Sequence, residues 1–195
     1  NGQTDNAEWS IEQARNVYNI QRWGADYFDI NEAGHVICRP EQKAGGEVDL
    51  TDIIAEANKR GLKFPLLVRF QDILRHRVQT LNRAFHQAIA EYEYTGRYRG
   101  VFPVKVNQLR EVVEEILEAG KEFDFGLEVG SKPELFAGLA LPESENCLII
   151  CNGYKDESFV HIALMGVKIG REVIMVVEKL EELRQIIRVS KDLGV

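Results

Sequence analysis

Apolar residues follow one rhythm near the start of this chain and another after about residue 48. Residues 1–5 are polar and predict disorder. Ser10 is a good helix N-cap, with Glu8 and Glu12 nearby, and predicts a short helix from that point. Residues 27–30 and 35–38 are short apolar runs flanking Asn31, Glu32, Ala33 and Gly34, the pattern of a β-hairpin with a four-residue loop. Residues 42–47 carry the pair Gly45 and Gly46 and read as a linker.

From Asp49 the pattern changes. Asp49 or Thr51 can cap a helix carrying Ile53, Ile54 and Ala57, with Gly61 at the position where a helix commonly ends. Short apolar runs then alternate with helical stretches. The runs are 66–70, 100–107, 123–129, 147–151 and 173–177; the helical stretches are about 73–94, 109–119, 133–141, 158–166 and from 180 onward. Strands this short and uniformly apolar are buried on both faces, which implies a parallel sheet. Repeated βα units imply an α/β fold, either a doubly wound sheet or a barrel. Five units cannot close an eight-stranded barrel, which takes about 250 residues. The expected organisation is therefore an N-terminal helix-and-hairpin segment over 1–48, then the first half of a TIM-type barrel over 49–195. Pro103 is discordant, because proline cannot donate to a central ladder; it requires a bulge or an outward-facing position.

Charge and cysteine content narrow the functional classes. The net charge of -7 argues against nucleic acid and anionic membranes as partners. No apolar run reaches the roughly 18 residues of a membrane span, and no secretory leader pattern opens the sequence, so the cytoplasm is the expected compartment. Cys38, Cys147 and Cys151 form no CxxC pair, which argues against a zinc site or a disulfide framework. Cys147 and Cys151 read as buried free thiols.

Lys105 is the most informative residue. It falls in an apolar run, among Val101, Phe102, Val104 and Val106. Burial disfavours an ammonium and leaves a neutral, nucleophilic amine, which Schiff-base chemistry with an aldehyde requires. Strand alternation would put Lys105 on one face with Val101 and Asn107, towards the C-terminal ends of the strands where barrel active sites lie. The plainer alternative is a lysine at a strand end whose amine reaches solvent. Glu128 lies between Leu127 and Val129 and shares a face with Gly126 and Gly130, which leave room for a ligand. It could orient or protonate an imine, or simply form an ion pair with Lys105. Ser131 and Glu134 match a capping box, with Pro133 in the first turn. Arg69, Asn107 and the turn over 151–156 are further candidates at strand ends, where turn-stabilising roles are the commoner use.

These segments resemble those of the biosynthetic arginine decarboxylases. Residues 100–108 (GVFPVKVNQ) are similar to the family's cofactor-lysine segment, 126–135 (GLEVGSKPEL) to its glycine-flanked acidic segment, and 150–156 (ICNGYKD) to a characteristic turn. Residues 10–28 and 66–74 are similar to its N-terminal region. The resemblance implies a barrel that holds pyridoxal phosphate (PLP), with Lys105 bonded to the cofactor and Glu128 beside it as the catalytic pair. Asn107 and Ser131 become cofactor-binding candidates. It further implies decarboxylation of arginine to agmatine, at the entry to polyamine and spermidine synthesis, by a homo-oligomer that also uses magnesium. No magnesium ligand set is evident in the sequence. Ornithine, diaminopimelate or carboxynorspermidine are alternative substrates, and a non-catalytic truncated homologue acting as a binding partner is an alternative role. Because the family's later barrel strands are missing from these 195 residues, this chain alone is expected to be inactive.

Overall fold

The computed structural model describes residues 9–141 and 147–195; the stretch 1–5, expected to be disordered, lies outside them. The chain forms two compact units, divided between Ile73 and Leu74.

In the first unit, helix α1 (Ile11–Tyr18) starts where Ser10 and Gln13 cap each other reciprocally. The Ser10 hydroxyl accepts from the Gln13 N–H at 3.2 Å, and the Gln13 side chain accepts from the Ser10 N–H at 2.8 Å. A short helix α2 (Ile20–Trp23) follows, and Ala14, Ile20 and Ile30 bury together. Strands β1 (Phe28–Ile30) and β2 (Val36–Cys38) form the predicted antiparallel hairpin, with Ile30 opposite Val36. Its turn is held by the Asn31 side chain, which accepts from the N–H groups of Ala33 and His35. The predicted linker does not run directly into a helix. It contains one 3-10 turn and then a third strand, β3 (Val48–Asp49), which pairs with β2. Asp49 ends that strand and caps α3 (Leu50–Lys59), accepting from the Thr51 N–H at 2.8 Å. Gly61 follows with φ +71°.

The strand expected over 66–70 does not form. A strand exists only where a neighbour takes its backbone hydrogen bonds, and no described residue pairs with this segment; Leu67 and Val68 are exposed. Helix α4 (Gln71–Glu91) begins directly after it.

The second unit is the predicted parallel α/β run. Strands β4 (Val101–Pro103), β5 (Gly126–Val129), β6 (Leu148–Cys151) and β7 (Glu172–Met175) lie side by side in chain order, all parallel. Helices α5 (Arg110–Gly120), α6 (Lys132–Ala140), α7 (Glu157–Lys168) and α8 (Leu180–Leu193) follow them in turn. One sheet face carries Leu127, Val129, Ile149 and Cys151, which bury against Leu135, Phe159 and Ala163 of the helices. Full burial of a Leu or Phe side chain is worth about 2 kcal/mol, so this layer fixes the sheet to its helices. The opposite face carries Gly126, Glu128 and Ile150. At Gly126 the strands approach so closely that a Cβ would lie 2.1 Å from the Leu148 carbonyl oxygen, so only glycine fits.

Strand β4 is shorter than predicted. The ladder ends where Pro103 faces Glu128, and the chain continues as a 3-10 turn over Val104–Val106. Proline was the discordant residue in the sequence, and it stands where the strand stops. The strand alternation expected to group Lys105 with Val101 and Asn107 therefore does not apply.

Candidate active site

The C-terminal ends of β4 and β5 bring together the two residues the sequence singled out as catalytic. Lys105 sits on the 3-10 turn after β4, and its Nζ lies 3.3 Å from Oε1 of Glu128 on β5. Lys105 is not buried among the valines, as the apolar run suggested. Val104 takes the buried position, whereas the Lys105 side chain is 60% exposed. Glu128 is the desolvated partner, with a side chain only 10% exposed. An amine open to solvent is reachable by an incoming aldehyde, and the carboxylate beneath it fixes its direction and can exchange a proton with it.

The other two predicted site residues are occupied at helix starts. Asn107 is half-buried, and its Oδ1 accepts from the Leu109 N–H at 3.2 Å, just before α5. Ser131 caps α6, accepting from the Glu134 N–H at 3.4 Å. The predicted capping box is completed differently: Glu134 reaches one residue further back and accepts from the Gly130 N–H at 2.7 Å. Its other oxygen accepts from the Gln108 side chain at 3.3 Å, tying the turn after β5 to the turn after β4. Arg69 lies in the first unit and is exposed.

The turn over 151–156, a further candidate from the sequence, is tied to side chains the sequence did not single out: Lys132, Lys179 and Glu182. Lys132, at the start of α6, pairs with Asp156, the N-cap of α7, at 2.6 Å. That bond, followed by the Phe159 N–H, holds the Asp156 carboxyl below its ordinary range. The turn after β6 meets the start of α8 through Lys155 and Glu182, both buried. Tyr154 accepts a hydrogen bond from Lys179 at 2.6 Å on the surface. For the Lys155 link the third-position glutamate of α8, Glu182, is the sequence signal, although α8 has Lys179, not a Ser, Thr or Asp, at its N-cap.

Residues 78–195 match the family described as pyridoxal-dependent decarboxylase, pyridoxal binding domain. The chain belongs to this family. Among curated relatives of this chain, the biosynthetic arginine decarboxylase of Parasynechococcus marenigrum is 47% identical over 190 residues, covering 97% of this chain and 30% of the relative. That of Phocaeicola vulgatus is 48% identical over 188 residues, covering 96% and 30%. The crystal structure of the biosynthetic arginine decarboxylase SpeA from Campylobacter jejuni superposes with a TM-score of 0.80 at 32% identity, over 90% of this chain and 29% of that one. The chain thus spans under a third of the length of these relatives.

The residues of this pyridoxal-dependent family member fit an aldehyde cofactor. A primary amine is reachable beside a buried carboxylate, and a Cβ built on Gly130, two residues beyond Glu128, would make only ordinary contacts at 3.8 Å or more. For the expected magnesium, no group of three or more His, Cys, Asp or Glu side chains is gathered for a metal among the described residues. No helix among them is long and apolar enough to cross a membrane.

Proposed function

We propose that this chain is the cofactor-lysine part of a PLP-dependent arginine decarboxylase, which converts L-arginine to agmatine and carbon dioxide in polyamine synthesis. The observation that carries the reading is the Lys105–Glu128 pair at the C-terminal ends of β4 and β5. The relatives' shared name, biosynthetic arginine decarboxylase, supports the substrate.

PLP, when bound, supplies the electron sink for the carbanion left as carbon dioxide departs. Lys105 would hold the cofactor through its exposed amine. Glu128 orients that amine, and its Oε1 is near enough to take or return the amine's proton. Asn107 and Ser131 complete the set assigned to the cofactor side; they fix the helix starts that follow Lys105 and Glu128. We assign the active form to a homo-oligomer of the longer protein.

The experiment is carbon dioxide release by the full-length gene product supplied with PLP, on arginine, ornithine, lysine and diaminopimelate side by side, with Lys105→Ala as control. Release from arginine alone, lost in the variant, is the expected result. Release from another amino acid would correct the substrate. Undiminished release by Lys105→Ala would remove Lys105 from the site.

A further inference from the structure

We propose that the buried pair Lys155–Glu182 is a positioning device for the Lys105–Glu128 site, rather than a stabilising ion pair. The proposal rests on the decarboxylase reading for its activity readout only.

Lys155 is an unusual residue to bury, and its side chain is 0% exposed. Its ammonium donates to the Gly153 carbonyl and lies 3.8 Å from Glu182 Oε2, while its backbone N–H donates to Glu182 Oε1 at 2.9 Å. Glu182 Oε2 also accepts from the Glu178 N–H at 2.9 Å. One carboxylate thus closes the turn after β6 and the turn after β7 together. Burial pushes the Glu182 carboxyl up, but the Glu178 and Lys155 N–H groups and the Lys155 charge outweigh it and hold the carboxyl below its ordinary value.

Helix capping does not require such an arrangement. Helices α6 and α7 start on Ser131 and Asp156 without burying a lysine. The two charges are not required for stability either, since buried ion pairs are often replaceable by apolar residues of similar volume at no loss; the Lys155 and Glu178 N–H groups need only an acceptor. What the pair does fix is the place of Gly153. That residue has φ +75°, and a Cβ on it would lie 3.8 Å from the Gly130 carbonyl; a Cβ on Gly130 would lie 3.9 Å from the Asn152 carbonyl. The Asn152 N–H donates to the Val129 carbonyl at 2.9 Å. The turn held by Lys155 is therefore packed on the segment that directly follows Glu128. Release of that turn would free the wall beside the catalytic pair while leaving the sheet intact.

The test uses the full-length gene product carrying Lys155→Met together with Glu182→Leu, which removes both charges and keeps the volume. Glu182→Gln, nearly isosteric, is the second variant should the double one fold poorly. Amide exchange is followed over residues 152–156 and at Glu178 without cofactor, then apparent affinity for PLP and kcat on arginine are measured. We expect the melting temperature to fall by about a few degrees, because the Lys155 and Glu178 N–H groups lose their acceptor, and exchange at Lys155 and Glu178 to be faster by about tenfold. PLP affinity should weaken, and kcat should fall on the order of 10- to 100-fold, the cost of a slightly misplaced site. Parental exchange, PLP affinity and kcat in the double variant would overturn the proposal and leave the pair a packing feature. A parent that turns over no arginine, with exchange and PLP affinity still responding, would sink the substrate reading and support the positioning role.

Discussion

Lys105 Nζ and Glu128 Oε1 lie 3.3 Å apart across 23 residues of chain because β4 and β5 are parallel neighbours, with Pro103 in register with Glu128. The carboxylate is buried and the amine open, so the carboxylate directs the amine. Replacing it with a neutral isostere should spare the fold and damage the chemistry. For Glu128→Gln in the full-length protein we expect kcat/KM on arginine to fall on the order of 100-fold, with the unfolding midpoint near the parent's. Parental turnover would show that Glu128 serves only the sheet.

Two glycines on the same strand and its exit should behave oppositely. Gly126→Ala forces a Cβ to within 2.1 Å of the Leu148 carbonyl oxygen, which is backbone and cannot yield without parting β5 from β6. A loss of about 3 kcal/mol is expected. Gly130→Ala meets nothing closer than 3.8 Å, so stability should hold while PLP affinity drops. Urea unfolding and PLP titration of both variants check this, and equal destabilisation of the two would contradict it.

Glu134 carries two links at once, the Gly130 N–H and the Gln108 amide. Glu134→Ala strips a buried acceptor from both, and we expect a loss of about 1–2 kcal/mol. Ser131→Ala, which removes one N-cap bond of 3.4 Å, should cost about 1 kcal/mol or less. The comparison of the two urea midpoints decides whether the link between turns matters more than the cap.

The thiols give a prediction in pH. Burial pushes the Cys147 thiol up to about 11 and the Cys151 thiol up to about 12, from an ordinary 9.0. Below pH 9 both thiols are protonated whether folded or unfolded, so their contribution is fully present. As pH rises above that value the unfolded chain ionises first, and stability is lost progressively towards pH 11 to 12. Cys38, Cys147 and Cys151 should be inert to an aromatic disulfide reagent at neutral pH and all react after unfolding. Rapid labelling of Cys147 or Cys151 in the native protein would refute their burial.

Much of the second unit was legible because its signals are local. Uniformly apolar runs such as 147–151 and caps such as Ser131, and Ser10 in the first unit, state element type directly. The 66–70 run was misread because an apolar run reports only a wish for burial, whereas a strand needs a partner ladder. Pro103 was expected to take a bulge or an outward-facing position within the strand over 100–107; instead the strand ends at it, because proline cannot donate to the ladder.

By itself the sequence determined the parallel α/β order and the positions of caps such as Ser10 and Ser131, since propensity and periodicity are properties of neighbouring residues; Lys105 and Glu128 stood out as candidates, and only the family resemblance joined them as a catalytic pair. Only the tertiary structure decided that Lys105 is exposed and Glu128 is the buried partner, that Asn107 and Ser131 serve helix starts, and that Lys155 meets Glu182. Burial and cross-strand contact depend on which strand ends lie side by side, and that is fixed by the packing of the whole sheet, not by any one segment.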